Sequence, residues 1–268
     1  MDLQQTRKAM AQANAKLRKE YLAMDKQIVK DTISYLKDLQ KEVRSAMVSA
    51  EGFILAHLNA INSDINNALV RFQNKLTTTV SAGQSSAWDL GIRSVDTPLE
   101  VAGIGTALPG LSDVKLVTYT GISTDLITGI TNDARQQIKN LIQLSVVGEK
   151  NVYDTAKAVD RIIGVDQERG VTAKAVKVAR TELGRAESAS SQLRMEQAAE
   201  QVPGLKKQWV TGINPRESHR AADGQIVGID EPFIVGGYEA MYPHDPNLPP
   251  EETCNCNCVS LPVVEEPE

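Results

Sequence analysis

Apolar residues recur at helical spacing along the first 45 positions of the chain. Steps of three and four residues place such side chains on one face of a helix, where they pack against other helices. This N-terminal apolar stripe consists of Leu17, Tyr21, Met24, Ile28, Leu36, Leu39 and Val43. The pattern predicts a long helix whose stripe binds a partner, and the sequence leaves open whether the partner belongs to this chain or to another protein.

A second stripe of the same kind follows, and Gly52 separates the two. It consists of Ile54, Leu58, Ile61, Ile65, Leu69, Phe72 and Leu76. Glycine at such a position marks either a kink or a turn, and the sequence does not decide between them. Residues 1–80 are therefore predicted to form a long amphipathic helical arm.

Glycine, proline and serine interrupt the helical pattern between residues 81 and 124. These interruptions predict a loop-rich connector with short helices. Helical periodicity returns over 125–202, which we interpret as a helical body. Its candidate N-caps are Thr131, Asn151 and Thr172, and its candidate helix ends are Gly148, Gly164 and Pro203.

Residues 203–268 read as a small C-terminal module with an acidic tail. LKKQWVTGI alternates apolar and polar residues as a strand does, and GQIVGI and PFIV are further short strands. A piece of this size rarely buries enough apolar surface to be stable alone. The predicted fold class is mainly α: long N-terminal helices and a helical body, followed by a small loop-rich α+β C-terminal module.

Charge is distributed unevenly along the 268 residues, although the net charge is only −5. Residues 1–45 hold ten Lys or Arg against six acids, whereas residues 216–268 hold two Arg against eleven acids. The basic side chains either contact nucleic acid or an acidic protein, or simply solvate a long helix. The candidate nucleic-acid contacts are Arg7, Lys8, Lys16, Arg18 and Lys19.

The sequence carries no apolar run of the ~18 residues that a spanning helix needs, and the opening MDLQQTRKAM lacks the apolar segment of a secretory signal. We therefore expect a protein without a membrane anchor that is made and works in the cytoplasm. An odd number of cysteines in a reducing compartment argues against a structural disulfide framework.

All three cysteines fall within CNCNC, residues 254–258, in the same module as two of the three histidines. Thiolate and imidazole are the donors that zinc prefers, so zinc is the candidate cofactor. Alternate residues of an extended strand lie ~6.6 Å apart, and two sulfurs reach one ion only if the backbone turns at an Asn. The candidate ligands are Cys254, Cys256, Cys258, His219 and His244. A disulfide, or reduced thiols packed in the core, are the alternatives.

The segment KKQWVTGINPRESHRAADGQIVGIDEPF, followed by YPHDPN and CNCNC, resembles the C-terminal signature of phage minor head proteins of the Mu F-like and SPP1 gp7-like families. The matching positions are Trp209, Arg216, His219, Asp223, Gly224, Pro232, Phe233, Asn255, Cys256 and Cys258. The helix ARTELGRAESAS resembles the family's Arg-Thr-Glu helix at Arg180, Thr181 and Glu182. The resemblance covers roughly residues 125–262. Asn257 departs from the basic residue of the family, and Cys254 is additional.

The resemblance implies a structural role in head morphogenesis. Proteins of this kind join the assembling head in few copies next to the portal vertex, and some leave with the DNA. The expected partners are the portal protein, other head proteins and DNA. The expected location is the host cytoplasm during assembly and then the virion, in the capsid interior or at the portal vertex.

The alternative is a metal-dependent enzyme or a toxin-like effector that uses the His and Cys residues. His219 with Asp223, or Glu182 with Arg180, would then supply acid-base chemistry. The sequence contains no nucleophile elbow, phosphate loop or HExxH motif. Arg180 and Glu182 stand two positions apart on a predicted helix and face different sides. We therefore expect no enzymatic activity and assign no catalytic residue.

Overall fold

The computed structural model describes residues 3–48, 55–105, 107–147, 152–165 and 169–264. These residues are mainly helical, as the periodicity predicted. The five helices before the C-terminal module are α1 (Leu3–Val48), α2 (Leu55–Val101), α3 (Val114–Val146), α4 (Val152–Ile163) and α5 (Gly170–Ala199).

The prediction of a loop-rich connector with short helices over 81–124 is wrong, because α2 continues to Val101 and α3 begins at Val114. Small residues in this stretch allow close helix packing instead of ending a helix. At Gly91 of α2 a Cβ atom would lie 2.2 Å from the Glu187 carbonyl oxygen of α5, so only glycine fits there. Gly91 reads as a helix breaker in the sequence, but in the structure it lies inside α2, where it allows close packing against α5.

The predicted helix ends agree better with the structure than the predicted starts. Helix α4 ends at Ile163, before Gly164 at φ +73°, and α5 ends at Ala199, before Pro203. Thr131 is no N-cap, since it lies inside α3 and its hydroxyl donates to the Ile127 carbonyl at 2.8 Å. Helix α5 begins two residues before Thr172. The predictions at Gly52, Gly148 and Asn151 fall outside the described residues.

The apolar stripe of α1 is buried within the chain itself. Six of its seven residues are buried, and Met24 is half-buried. The second stripe is buried from Ile61 to Leu76, while Leu58 is half-buried and Ile54 lies outside the described residues. The stripe of α1 is therefore not an exposed docking face, and another protein could reach these side chains only by opening this packing.

The chain folds into two compact units. Unit 2 comprises Gln27–Ser81 and Gly121–Ala179. Polar pairs join its helices. The Arg44 guanidinium donates two hydrogen bonds of 2.7 Å, one to each carboxylate oxygen of Asp160, and the Tyr35 and Thr79 hydroxyls lie 3.0 Å apart.

Unit 1 comprises Met1–Lys26, Ala82–Thr120 and Arg180–Glu268, so it holds the whole C-terminal module. One apolar cluster joins the module to helices of this unit, with Leu205 and Ile229 packed against Met10, Leu99 and Met195. The module therefore gains from its helical neighbours the apolar contacts that its own size cannot supply.

The module contains a three-stranded antiparallel sheet and a two-stranded hairpin. The sheet has the order β2 (Ile226–Gly228), β1 (Leu205–Val210) and β5 (Val259–Val264), and the hairpin pairs β3 (Phe233–Val235) with β4 (Tyr238–Ala240). The strands predicted from LKKQWVTGI, GQIVGI and PFIV are confirmed. Two short helices, α6 (Glu217–Ala222) and α7 (Pro250–Thr253), lie between strands. Val259 of β5 pairs with Val210, which fixes CNCNC at the end of β1.

Candidate metal centre

Three side chains of the module bring metal-type donor atoms within 4.8 Å of one another. They are His219 on α6 and Cys256 and Cys258 just before β5, and we call them the His/Cys cluster. His219 Nδ1 lies 3.3 Å from Cys258 Sγ and 3.5 Å from Cys256 Sγ. All three side chains are at most 4% exposed. This cluster could hold a metal ion.

A turn of the backbone directly precedes the two cysteines of the cluster. Asn255 has φ +55°, in the left-handed region that Asn tolerates better than most residues. The Cys258 amide then donates to Cys256 Sγ at 3.3 Å. A turn at an Asn was the condition under which the sequence allowed two sulfurs to share an ion, and the left-handed turn at Asn255 lies ahead of both Cys256 and Cys258.

A carboxylate orients the histidine from behind. Glu252 Oε2 lies 2.9 Å from His219 Nε2 and also accepts a hydrogen bond of 2.8 Å from the Ser218 hydroxyl. Both ring nitrogens of His219 are thus engaged, Nε2 by the Glu252 carboxylate and Nδ1 by the two sulfurs. Glu252 was missed in the sequence, where an acid on a short turn-rich segment carries no recognisable signal.

The two thiols do not share the same acidity. A hydrogen bond from the Cys256 thiol lowers the pKa of Cys258, and hydrogen bonding to His219 lowers it further. The same pairing with Cys258, together with burial, raises the pKa of Cys256. Cys258 is therefore the more acidic of the two thiols.

Two of the five predicted ligands lie outside the cluster. Cys254 is half-buried, and its carbonyl accepts a hydrogen bond from Arg216. His244 is buried against α5, where a Cβ on Gly184 would come within 2.2 Å of His244 Nε2. Burial, followed by the charge of Arg185, lowers the pKa of His244 to about 3. Of the five predicted ligands, only His219, Cys256 and Cys258 lie close enough together to share an ion.

The Arg-Thr-Glu stretch of α5 supports the CNCNC turn. The Asn255 amide donates to the Thr181 hydroxyl at 3.2 Å. Arg180 pairs with Asp25 at 3.5 Å, while Glu182 pairs with Arg185 at 2.8 Å. Arg180 and Glu182 therefore have different partners, as their spacing predicted, and burial raises the pKa of both Asp25 and Glu182.

The remaining residues of the C-terminal motif build the core and turns around the cluster. Trp209 packs edge-on against His219 and Phe233, with ring centroids 5.6 and 5.4 Å apart. Asp223 accepts from the Thr211 amide at 2.9 Å, so its carboxylate is engaged at the end of β1. Gly224 has φ +80° in the following turn, and Pro232 directly precedes β3.

The five candidate nucleic-acid residues of α1 differ in their surroundings. Arg18 is half-buried, donates to the Asn257 carbonyl and lies 5.4 Å from the Tyr21 ring centroid, so it is engaged within unit 1. The other four residues are exposed: Arg7, Lys8, Lys16 and Lys19. Among the residues that the structure describes, no helix has the length and apolar character to cross a bilayer.

Comparison with known proteins shows what the module and the α5 helix resemble. The family model described as Phage Mu protein F like protein matches residues 136–261. This segment is a Mu F-like one, and the resemblance to a family of phage head proteins is confirmed. No solved structure matches the chain significantly.

Three curated relatives match parts of the chain. Minor head protein GP7 of Bacillus phage SPP1 is 35% identical over 97 residues, 35% of this chain and 30% of the relative. The uncharacterized protein YqbB of Bacillus subtilis is 28% identical over 139 residues, 50% of this chain and 43% of the relative. NAD(+)–arginine ADP-ribosyltransferase EFV of Enterococcus faecalis is 35% identical over 94 residues, 34% of this chain and 19% of the relative. The chain spans less than half the length of each.

Proposed function

We propose that the protein is a structural minor head protein of a tailed bacteriophage that acts in head morphogenesis near the portal vertex. The observation that carries this proposal is the Mu F-like segment over residues 136–261, together with the similarity to a minor head protein of phage SPP1. The protein would meet its partners in the host cytoplasm during assembly and then remain in the virion. The portal protein and other head proteins are the proposed partners.

The role is proposed to be structural rather than enzymatic. The similarity to an ADP-ribosyltransferase covers 19% of that enzyme and therefore brings none of its chemistry to this chain. The acid-base pairs considered in the sequence do not form: Asp223 binds Thr211, and Glu182 binds Arg185. The three cluster side chains are nearly closed to solvent, which disfavours access of a substrate.

The Arg-Thr-Glu helix and the CNCNC turn would serve this role by holding the module in one conformation. Thr181, Arg18 and Arg216 all bind backbone groups of residues 254–257. The contacts come from three separate parts of unit 1. A segment fixed in this way presents a constant surface to neighbouring head proteins.

Incorporation into heads tests the proposal. Tagged protein, co-expressed with the portal and major capsid proteins of its phage, should co-sediment with assembled heads and co-purify with portal oligomers. A truncation of residues 1–50 is a poor control, because Met10 and the buried stripe of α1 belong to the core. A better design compares the intact chain with a variant of the exposed basic residues of α1. Absence of the protein from both heads and portal fractions would contradict the proposed role.

A further inference from the structure

We propose that the His/Cys cluster binds one Zn²⁺ ion through Nδ1 of His219 and the sulfurs of Cys256 and Cys258. The ion would clamp α6 to the CNCNC turn at the start of β5. This inference concerns the folding of the module and stands or falls independently of the role in the phage head.

The donor atoms have the spacing of a zinc site. A tetrahedral zinc with Zn–S of about 2.3 Å and Zn–N of about 2.0 Å places sulfur and nitrogen roughly 3.5 Å apart. The observed separations from His219 Nδ1 are 3.3 Å to Cys258 Sγ and 3.5 Å to Cys256 Sγ. Both nitrogen–sulfur separations therefore match those of a shared ion, and the two sulfurs lie within 4.8 Å of each other.

The groups around the donors also suit a bound ion. Histidines that bind zinc usually donate their other ring N–H to a carboxylate, and Glu252 occupies that place, 2.9 Å from His219 Nε2. Cys256 Sγ accepts from the Cys258 amide at 3.3 Å, as ligand sulfurs commonly do. Trp209 closes one side of the cluster edge-on. These contacts fix the direction of the Nδ1 lone pair and reduce solvent access.

The choice of ion follows from the chemistry of the donors. Two thiolates and one imidazole suit zinc, whereas Mg²⁺ and Ca²⁺ bind oxygen donors. Within the described residues no fourth side chain joins the group, so the fourth tetrahedral position falls to a small ligand such as water. A small module gains substantial folding energy from such an ion, because the binding free energy adds to the stability of the folded state.

The experiment uses the full-length chain, purified under reducing conditions without a histidine tag. Elemental analysis should find about one equivalent of zinc, and Co²⁺ should replace it with a thiolate-to-cobalt charge-transfer band. A chelator should lower the melting temperature, and added zinc should restore it. Reduced wild-type protein that holds no zinc and gives no cobalt–thiolate band would overturn the proposal, since hydrogen bonding alone would then explain the geometry.

Matched variants test the donor set. Cys256→Ser and Cys258→Ser should each lose the cobalt band, whereas Cys254→Ser should retain it, because this third thiol of the same pentad lies outside the cluster. Glu252→Gln should keep the band but weaken zinc binding by roughly 10- to 100-fold. Equal loss in Cys254→Ser and Cys258→Ser would refute the three-donor site. The zinc and cobalt measurements on the wild-type protein do not depend on any variant. They therefore test the proposal even if a variant fails to fold.

Discussion

The backbone amide of Asn255 donates a hydrogen bond of 3.2 Å to the Thr181 hydroxyl, joining positions 74 residues apart. Thr181 belongs to the Arg-Thr-Glu stretch of α5, and Asn255 is the turn residue of CNCNC. Two segments that resemble the same family in sequence are thus in direct contact. Through this contact α5 supports the backbone turn that precedes Cys256 and Cys258.

Thr181→Val should destabilise the protein by about 0.5–1.5 kcal/mol, because the part-buried hydrogen bond from the Asn255 amide is lost while the side-chain volume stays nearly constant. Thr181→Ser keeps the hydroxyl and is the matched control. Urea unfolding of both variants provides the measurement. If Val and Ser at this position gave the same free energy of unfolding, the hydrogen bond would not contribute to stability.

Gly91→Ala should destabilise unit 1 by roughly 1–3 kcal/mol or more through overpacking. The new Cβ would meet the Glu187 carbonyl oxygen at 2.2 Å and Ser190 Oγ at 2.0 Å, and a helix backbone cannot move away cheaply. Gly129→Ala on α3 is the control, because nothing lies within 4 Å of that Cβ.

The control should shift stability in the opposite direction. In a helix, Ala is favoured over Gly by about 1 kcal/mol, so Gly129→Ala should raise the free energy of unfolding. Thermal and urea unfolding of the two variants would show opposite signs. A stabilising Gly91→Ala would mean that α2 and α5 are not in close contact at this position.

The sequence predicts the parts of this fold that depend on local periodicity. Residue spacing alone predicts both the apolar stripe of α1 and the apolar–polar alternation of β1. Helix α2 across 81–101 does not, because Gly91 reads as a breaker until its packing partner is known. Strand β5 was also missed, since Pro262 interrupts its pattern and is tolerated at the sheet edge.

The sequence predicted the residue types of the candidate site, Cys and His, but not which of these residues lie in it. Cys254 and Cys258 are equally spaced from Cys256, so spacing alone does not show which of them shares a side with Cys256. The left-handed turn at Asn255 and the pairing of β5 with β1 decide in favour of Cys258. The sequence likewise did not distinguish His244 from His219 as a ligand. In the structure, His244 packs against α5, outside the cluster.

Glu187 should make stability depend on pH near neutrality. Burial raises its pKa to about 7 from a usual value near 4.5, although Arg18 and the Ser188 hydroxyl oppose the rise. Between these two values the folded chain holds a proton that the unfolded chain releases, so the free energy of unfolding falls as pH increases. Above pH 7 the total loss amounts to roughly 3 kcal/mol.

Glu187→Gln isolates this effect, because it removes the titrating group while keeping the size of the side chain. The variant should gain stability relative to wild type between pH 5 and pH 8, measured by urea unfolding at both values. Other titrating groups cancel in the comparison. A difference between variant and wild type that stays constant with pH would show that Glu187 is ionised throughout this range.

The exposed basic residues of α1 should give the protein a weak affinity for DNA that is independent of sequence. Each phosphate neutralised by Lys or Arg releases counterions, so binding through Arg7, Lys8, Lys16 and Lys19 should weaken with salt at a log-log slope of about −3 to −4. Arg18 is excluded from the count, since it binds the Asn257 carbonyl. Fluorescence anisotropy with short duplexes of two unrelated sequences, over a range of salt concentrations, measures both properties.

A charge-matched pair of double variants locates the contact. Lys16→Gln with Lys19→Gln should reduce the slope by roughly 2, because two phosphate contacts are lost. Lys139→Gln with Lys177→Gln removes the same charge from exposed positions on α3 and α5 and should leave the slope nearly unchanged. Equal effects of the two pairs would indicate a response to net charge alone, and binding that survives high salt would point to contacts other than these lysines.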